Sequence, residues 1–133
     1  MIEEIIHKKK IFAFIVKGKK YKKKRGINFF TKKSFPLQVA HMSHKKNHNI
    51  KPHIHFKRLK KIYQTAEVLI ILSGVLRVDF YTNKKKYVKS KELVKNDILI
   101  LLNGGHGFFL KKNCTFIEVK QGPFFPDKDK KRI

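Results

Sequence analysis

The chain has 133 residues, enough for one domain with a buried core, and its 33 basic against 9 acidic residues leave a formal charge of +24. A single cysteine, Cys114, excludes an intrachain disulfide, and no apolar run approaches the roughly 18 residues that a membrane-spanning helix needs. The apolar runs are short, rich in Ile, Val and Phe and bounded by Gly, Asn and Lys, which favours an all-β domain over a helical bundle.

In chain order, Glu3 and Glu4 precede a basic run, and the apolar stretch 11–16 is shorter than the ~7 to 15 residues of a signal-peptide core. With one cysteine suited to a reducing compartment, the chain reads as cytoplasmic. Residues 11–16 predict a strand, and the strongly basic 17–25 a solvated connection. Residues 27–31 and 37–42 are strand candidates around a turn at 34–36, and 50–56 is a strand carrying His53 and His55. Residues 57–65 are basic and poorly patterned, hence a loop. Residues 67–72 and 75–82 predict a hairpin at Ser73-Gly74, where glycine supplies a positive φ. In its second strand Leu76, Val78 and Phe80 alternate with Arg77, Asp79 and Tyr81, a half-buried pattern. Residues 87–88 pair briefly and 90–94 form at most one helical turn. Residues 98–102 are apolar on both faces, as in a strand between two layers. After Gly104-Gly105, residues 107–110 and 115–120 predict a last hairpin, and 122–133 an extended tail. Cys114 reads as a small buried hydrophobe at the start of that last strand.

The charge admits two readings. A field of +24 would draw a polyanion such as nucleic acid toward any cleft. Yet Lys outnumbers Arg 29 to 4 and falls in nearly every predicted turn, as solvated lysine from a genome poor in G and C also would.

His53-x-His55 is the chain's main chemical signal. On a strand, that spacing sends both imidazoles to one face, with Cα atoms roughly 6.5 to 7 Å apart, close enough to converge on one ion. A second group, His41, His44 and His48, has helical spacing but no helical pattern around it, and reads as loop or edge histidine.

The order His53-x-His55, Glu67, Gly74 and a Gly-rich turn before His106 resembles the two motifs of the cupin superfamily. Residues 29–31 and 37–38, His53-x-His55, Arg58, Glu67 and the runs 77–81, 104–108 and 118–123 are similar to small single-domain cupins found with polysaccharide and nucleotide-sugar genes. Eleven residues separate His55 from Glu67, more than the family's usual spacing, and Asn103-Gly104-Gly105 replaces its Pro-x-Gly.

The resemblance, running from about residue 26 to 132, implies an all-β double-stranded β-helix, a jelly-roll barrel with little or no helix. Residues 1–133 then form one cupin domain, with 1–25 a basic N-terminal strand and connection and 122–133 a tail. It implies a divalent transition metal, Fe, Mn, Ni, Cu or Zn, held by His53, His55, Glu67 and His106. It further implies a homodimer, and isomerisation or epimerisation of a small anionic or sugar-nucleotide-derived substrate. His53, His106 and Tyr81 are then the candidate acid-base groups. Arg58 and Lys120 are the candidates to hold an anion. Two other classes stay open: a non-catalytic small-molecule-binding or regulatory cupin, and a polyanion binder acting through its lysine surface.

Overall fold

A computed structural model describes residues 1–22 and 24–133. In chain order its elements are β1 (Ile2–His7), β2 (Lys10–Val16), β3 (Gly26–Phe29), β4 (Ala40–Ser43), β5 (Glu67–Ser73), β6 (Val75–Tyr81), β7 (Tyr87–Val94), β8 (Ile98–Leu101), β9 (Gly105–Leu110), β10 (Thr115–Lys120) and the four-residue helix α1 (Pro126–Asp129). The chain divides into two units, Met1–Tyr21 with Gln64–Ile133, and Lys22–Tyr63.

The larger unit holds a five-stranded sheet in the order β1-β2-β8-β5-β10 and a three-stranded sheet in the order β7-β6-β9, antiparallel throughout. Their inner faces share one core. Ala13, Ile15, Leu69, Leu99 and Leu101 come from the first sheet and Leu76, Val78, Phe80 and Leu93 from the second. The alternation of β6 explains its place: Leu76, Val78 and Phe80 are buried while Arg77, Asp79 and Tyr81 stay half-buried on the other face. β8 lies between β2 and β5 and is buried on both faces, Leu99 and Leu101 in the shared core and Ile100 on the side facing away from it. Burying a side chain such as Phe80 or Leu99 contributes roughly 1.5 to 3 kcal/mol each.

Both expected hairpins are overturned. β5 pairs with β8 and β10, whereas β6 pairs with β7 and β9, so the chain changes sheets at Gly74 instead of folding back on itself. Gly74 has φ +82°, and a Cβ there would lie 2.0 Å from the carbonyl oxygen of Asn113. The segment between β9 and β10, which changes sheets too, crosses against that glycine. Two crossings packed backbone to backbone leave no room for a side chain at position 74. The expected short pairing at 87–88 and helical turn at 90–94 are instead one continuous strand, β7.

Among the described residues the two sheets remain open. The first ends at β1 and β10, the second at β7 and β9, and no ladder joins these edges. This overturns the jelly-roll barrel, and with it the expectation that the chain is a cupin-type double-stranded β-helix. What stands is a mostly β protein with little helix. Alternating hydrophobicity reports which face of a strand is buried, and is silent on whether its edge finds a partner. Edge strand β7 carries Lys89 and Lys91, charges that discourage further pairing.

A buried carboxylate secures the turn into β8. Asp97 accepts hydrogen bonds from Lys17 Nζ at 2.7 Å, the Gly18 amide at 2.9 Å and the Val94 amide at 3.1 Å. Its two oxygens are thereby satisfied although it is almost wholly buried.

In the smaller unit β3 and β4 form a two-stranded antiparallel ladder, Gly26↔Ser43 to Phe29↔Ala40. Its connection is closed by side chains. Gln38 Nε2 donates to the carbonyls of Lys32 and Phe35, both at 2.9 Å, and the buried Thr31 hydroxyl accepts the Val39 amide at 3.0 Å. Residues 44–66 contain no strand or helix. The strand expected at 50–56 is therefore absent. Pro52 removes one amide donor, and although Ile50, Ile54 and Phe56 keep a period of two, all three are exposed, so no face of the segment is buried against a partner.

Candidate functional site

The proposed ligands separate along the chain's division. His53 and His55 lie in the Lys22–Tyr63 unit, Glu67 and His106 in the other. The His53 and His55 rings meet edge to face at 5.2 Å, both residues are exposed, and His53 Nδ1 bonds the carbonyl of Lys51 at 3.0 Å. His44 and His48 stack in parallel at 4.0 Å. Among the described residues no three of His, Cys, Asp and Glu come together in a group able to hold a metal ion. With the open sheets, this removes the basis for the cupin-type catalytic reading, whether isomerase or epimerase.

Glu67 and His106 do meet, for a reason visible in the registers. Glu67 pairs with Leu101 in the first sheet and His106 with Phe80 in the second, so both stand on core-facing rows at the end of their strands. Glu67 Oε2 lies 3.1 Å from His106 Nε2, a link between the two sheets. The approach lacks hydrogen-bond alignment, and Oε2 is otherwise buried without a partner. The His106 imidazole holds the Glu67 carboxyl below its ordinary value, with Lys120 adding to the effect and burial opposing it.

Lys120 is the cross-strand neighbour of Glu67. It is committed elsewhere as well, 3.0 Å from Asp129 and over the ring of Phe124 at 4.8 Å. Its ammonium is raised in pKa chiefly by the Asp129 carboxylate. Glu67 thus stands beside both His106 and Lys120, and Lys120 beside Asp129, a set of contacts that links β5, β9, β10 and α1. Tyr81 stands apart from it. It pairs with Gly105, one position out of phase with the Phe80–His106 row, so it faces the other side of the sheet and packs edge to face on Tyr87 at 5.9 Å. Tyr81 and His106, two of the three candidate acid-base groups, therefore face opposite sides of that sheet.

Asp129 was invisible as a partner in the sequence because residues 122–133 read as an extended tail; α1 is what carries it to Lys120.

A second feature has the opposite character. The Lys22–Tyr63 unit contains 13 of the 33 basic residues, five of the seven histidines and no acidic residue, a formal +13 of the chain's +24 in 42 positions. No Asp or Glu occurs anywhere between Glu4 and Glu67. A running charge count would have found this, where a count by predicted turns spreads it out. Within residues 50–63, Ile54 is 93% exposed, Phe56 94%, Leu59 89% and Tyr63 89%, interleaved with Lys51, Lys57, Arg58, Lys60 and Lys61. Side chains of this kind are seldom presented to water so completely. His55, Phe56, Arg58 and Lys60 line an open cleft.

Comparison with protein-family models, with curated proteins and with solved structures returns no match to this chain. No helix among the described residues is long and apolar enough to cross a membrane.

Proposed function

We propose that this protein binds nucleic acid through its Lys22–Tyr63 unit. The observation that carries the reading is segregation of charge: 13 basic residues with no carboxylate in the same unit to neutralise them, against five ion pairs of Lys or Arg with a carboxylate among the described residues of the other unit. Solvated lysine from codon composition would be scattered among acidic partners along the whole chain. A run of 62 residues without one acid concentrates the field instead. Cations presented in this way take phosphates and release the counterions condensed on them, which makes binding strongly salt-dependent.

The test is binding of labelled DNA and RNA to the full chain across a salt series. Two variants remove similar charge from different places: Lys57→Gln with Arg58→Gln and Lys60→Gln, and Lys8→Gln with Lys9→Gln and Lys10→Gln. The first is expected to weaken binding and to flatten the slope of log affinity on log salt by about 2 to 3. The second, at the turn between β1 and β2 and the first residue of β2, should change it less. Equal losses in both variants, or no binding by the wild-type chain at 0.15 M salt, would overturn the reading.

A further inference from the structure

From the same unit we infer a preference for single strands: residues 50–63 bind single-stranded nucleic acid by stacking bases on Phe56 and Tyr63 while the neighbouring cations hold the phosphates. The inference rests on the proposed nucleic-acid reading and adds to it the strandedness and the residues that decide it.

Charge alone predicts no preference for single strands, because a duplex presents phosphates at higher density. The rings supply the discrimination. Phe56 and Tyr63 are about nine-tenths exposed in a segment with no regular structure, so their faces are open to a planar partner. A base inside a duplex already stacks on its neighbours; an unpaired base can stack on an aromatic side chain, whatever its identity. Phe56 lines the same open cleft as Arg58 and Lys60, so a base on that ring would lie with its phosphate near a guanidinium and an ammonium.

The spacing fits as well. Phe56 is followed by Lys57 and Arg58, and Tyr63 is preceded by Lys60 and Lys61. Each ring is thus within three residues of two cations, or roughly 10 Å or less of extended chain at about 3.3 Å per residue. An anionic membrane is the other surface that basic and apolar side chains together would meet. It would call for an apolar face separate from a cationic one. Here Ile54, Phe56, Leu59 and Tyr63 are interspersed with Lys57, Arg58, Lys60 and Lys61 at irregular spacing, so the segment lays out no separate apolar face, and each ring has cations beside it.

The experiment compares an oligothymidylate, a duplex of equal length, heparin and phosphatidylserine vesicles, each titrated with the full-length chain. Wild type is expected to bind the single strand at least ten-fold more tightly than the duplex. The Phe56→Ala, Tyr63→Ala variant should lose about ten-fold per ring on the single strand, with the duplex and heparin affinities and the salt slope kept. Tyr63→Phe should restore what Tyr63→Ala loses.

The chain has no tryptophan and four tyrosines, so tyrosine emission reads the contact directly. Oligothymidylate should quench a component present in wild type and missing from Tyr63→Phe. Equal affinity for duplex and single strand, an alanine variant that keeps the single-strand preference, or tighter binding to vesicles than to the oligonucleotide would overturn the inference. In the first two cases heparin and duplex binding would leave the nucleic-acid reading standing. Absence of binding to every nucleic acid would bring both down.

Discussion

The two units of this chain handle charge in opposite ways. In Met1–Tyr21 with Gln64–Ile133, carboxylates are set against cations, from the buried Asp97 with Lys17 to the Glu67, His106, Lys120 and Asp129 network. In Lys22–Tyr63 there is no carboxylate at all, and large apolar side chains stand in water beside the cations. The first arrangement fits a scaffold in which carboxylates have cations to face, Asp97 with its two oxygens fully satisfied being the clearest case. The second sets its cations without a carboxylate in the same unit and leaves Ile54, Phe56, Leu59 and Tyr63 exposed beside them, the feature on which the proposed binding rests. The buried core lies in the first unit and the proposed binding residues in the second, a division that mutation can test.

The largest effects should come from the scaffold's core. Phe80→Ala, which empties a fully buried ring between the sheets, is expected to cost about 3 to 5 kcal/mol in urea unfolding. Asp97→Ala follows at about 3 kcal/mol, because it orphans the Gly18 and Val94 amides and the Lys17 ammonium together. A loss as small as that from a surface substitution would mean that the turn into β8 is held by something else.

A smaller effect probes the charge network. Glu67→Gln should lower stability by about 1 kcal/mol near neutral pH, since both members of the pair remain partly exposed. The Glu67 carboxyl is depressed in the folded state, so its contribution is present in full above its ordinary value of 4.5. It is lost as pH falls below that value and through the lower folded one. The wild-type advantage over the variant in urea midpoint should thus shrink in acid; an advantage that is independent of pH would point to shape, not charge.

The smallest effect on folding sharpens the contrast. Lys60→Gln with Lys61→Gln should change stability by no more than about 0.5 kcal/mol while reducing the salt slope of oligonucleotide binding. A clear loss of stability would show these lysines to be structural. Cys114, partly buried against the core with its thiol pushed up by burial, should react with a maleimide far more slowly in the folded chain than in urea.

Much of the strand content was legible in the sequence. The alternation of residues 75–81 and the two-sided apolarity of 98–102 each describe the observed strand. β1 escaped detection because Glu3 and Glu4 interrupt its apolar residues, of which only Ile5 is buried. The pairings were not legible. Gly74 looks like a hairpin turn locally, and only the crossing of Asn113 against it shows a change of sheet. Of the candidate site, the Glu67–His106 contact was contained in the expected set. The histidine pair at 53 and 55 was assigned to a strand that does not form, because a motif spacing carries chemistry only when a ladder holds it.

By itself, then, the amino-acid sequence determined which segments are apolar enough to become strands, and that residues 5–66 carry no negative charge. Both are properties of composition and local period. Only the tertiary structure decided that the sheets stay open, that Lys120 is held by Asp129, and that Phe56 and Tyr63 face water. Edge pairing, ion pairing and burial each depend on residues distant in the chain, and the local pattern of a β protein specifies a face without specifying its partner.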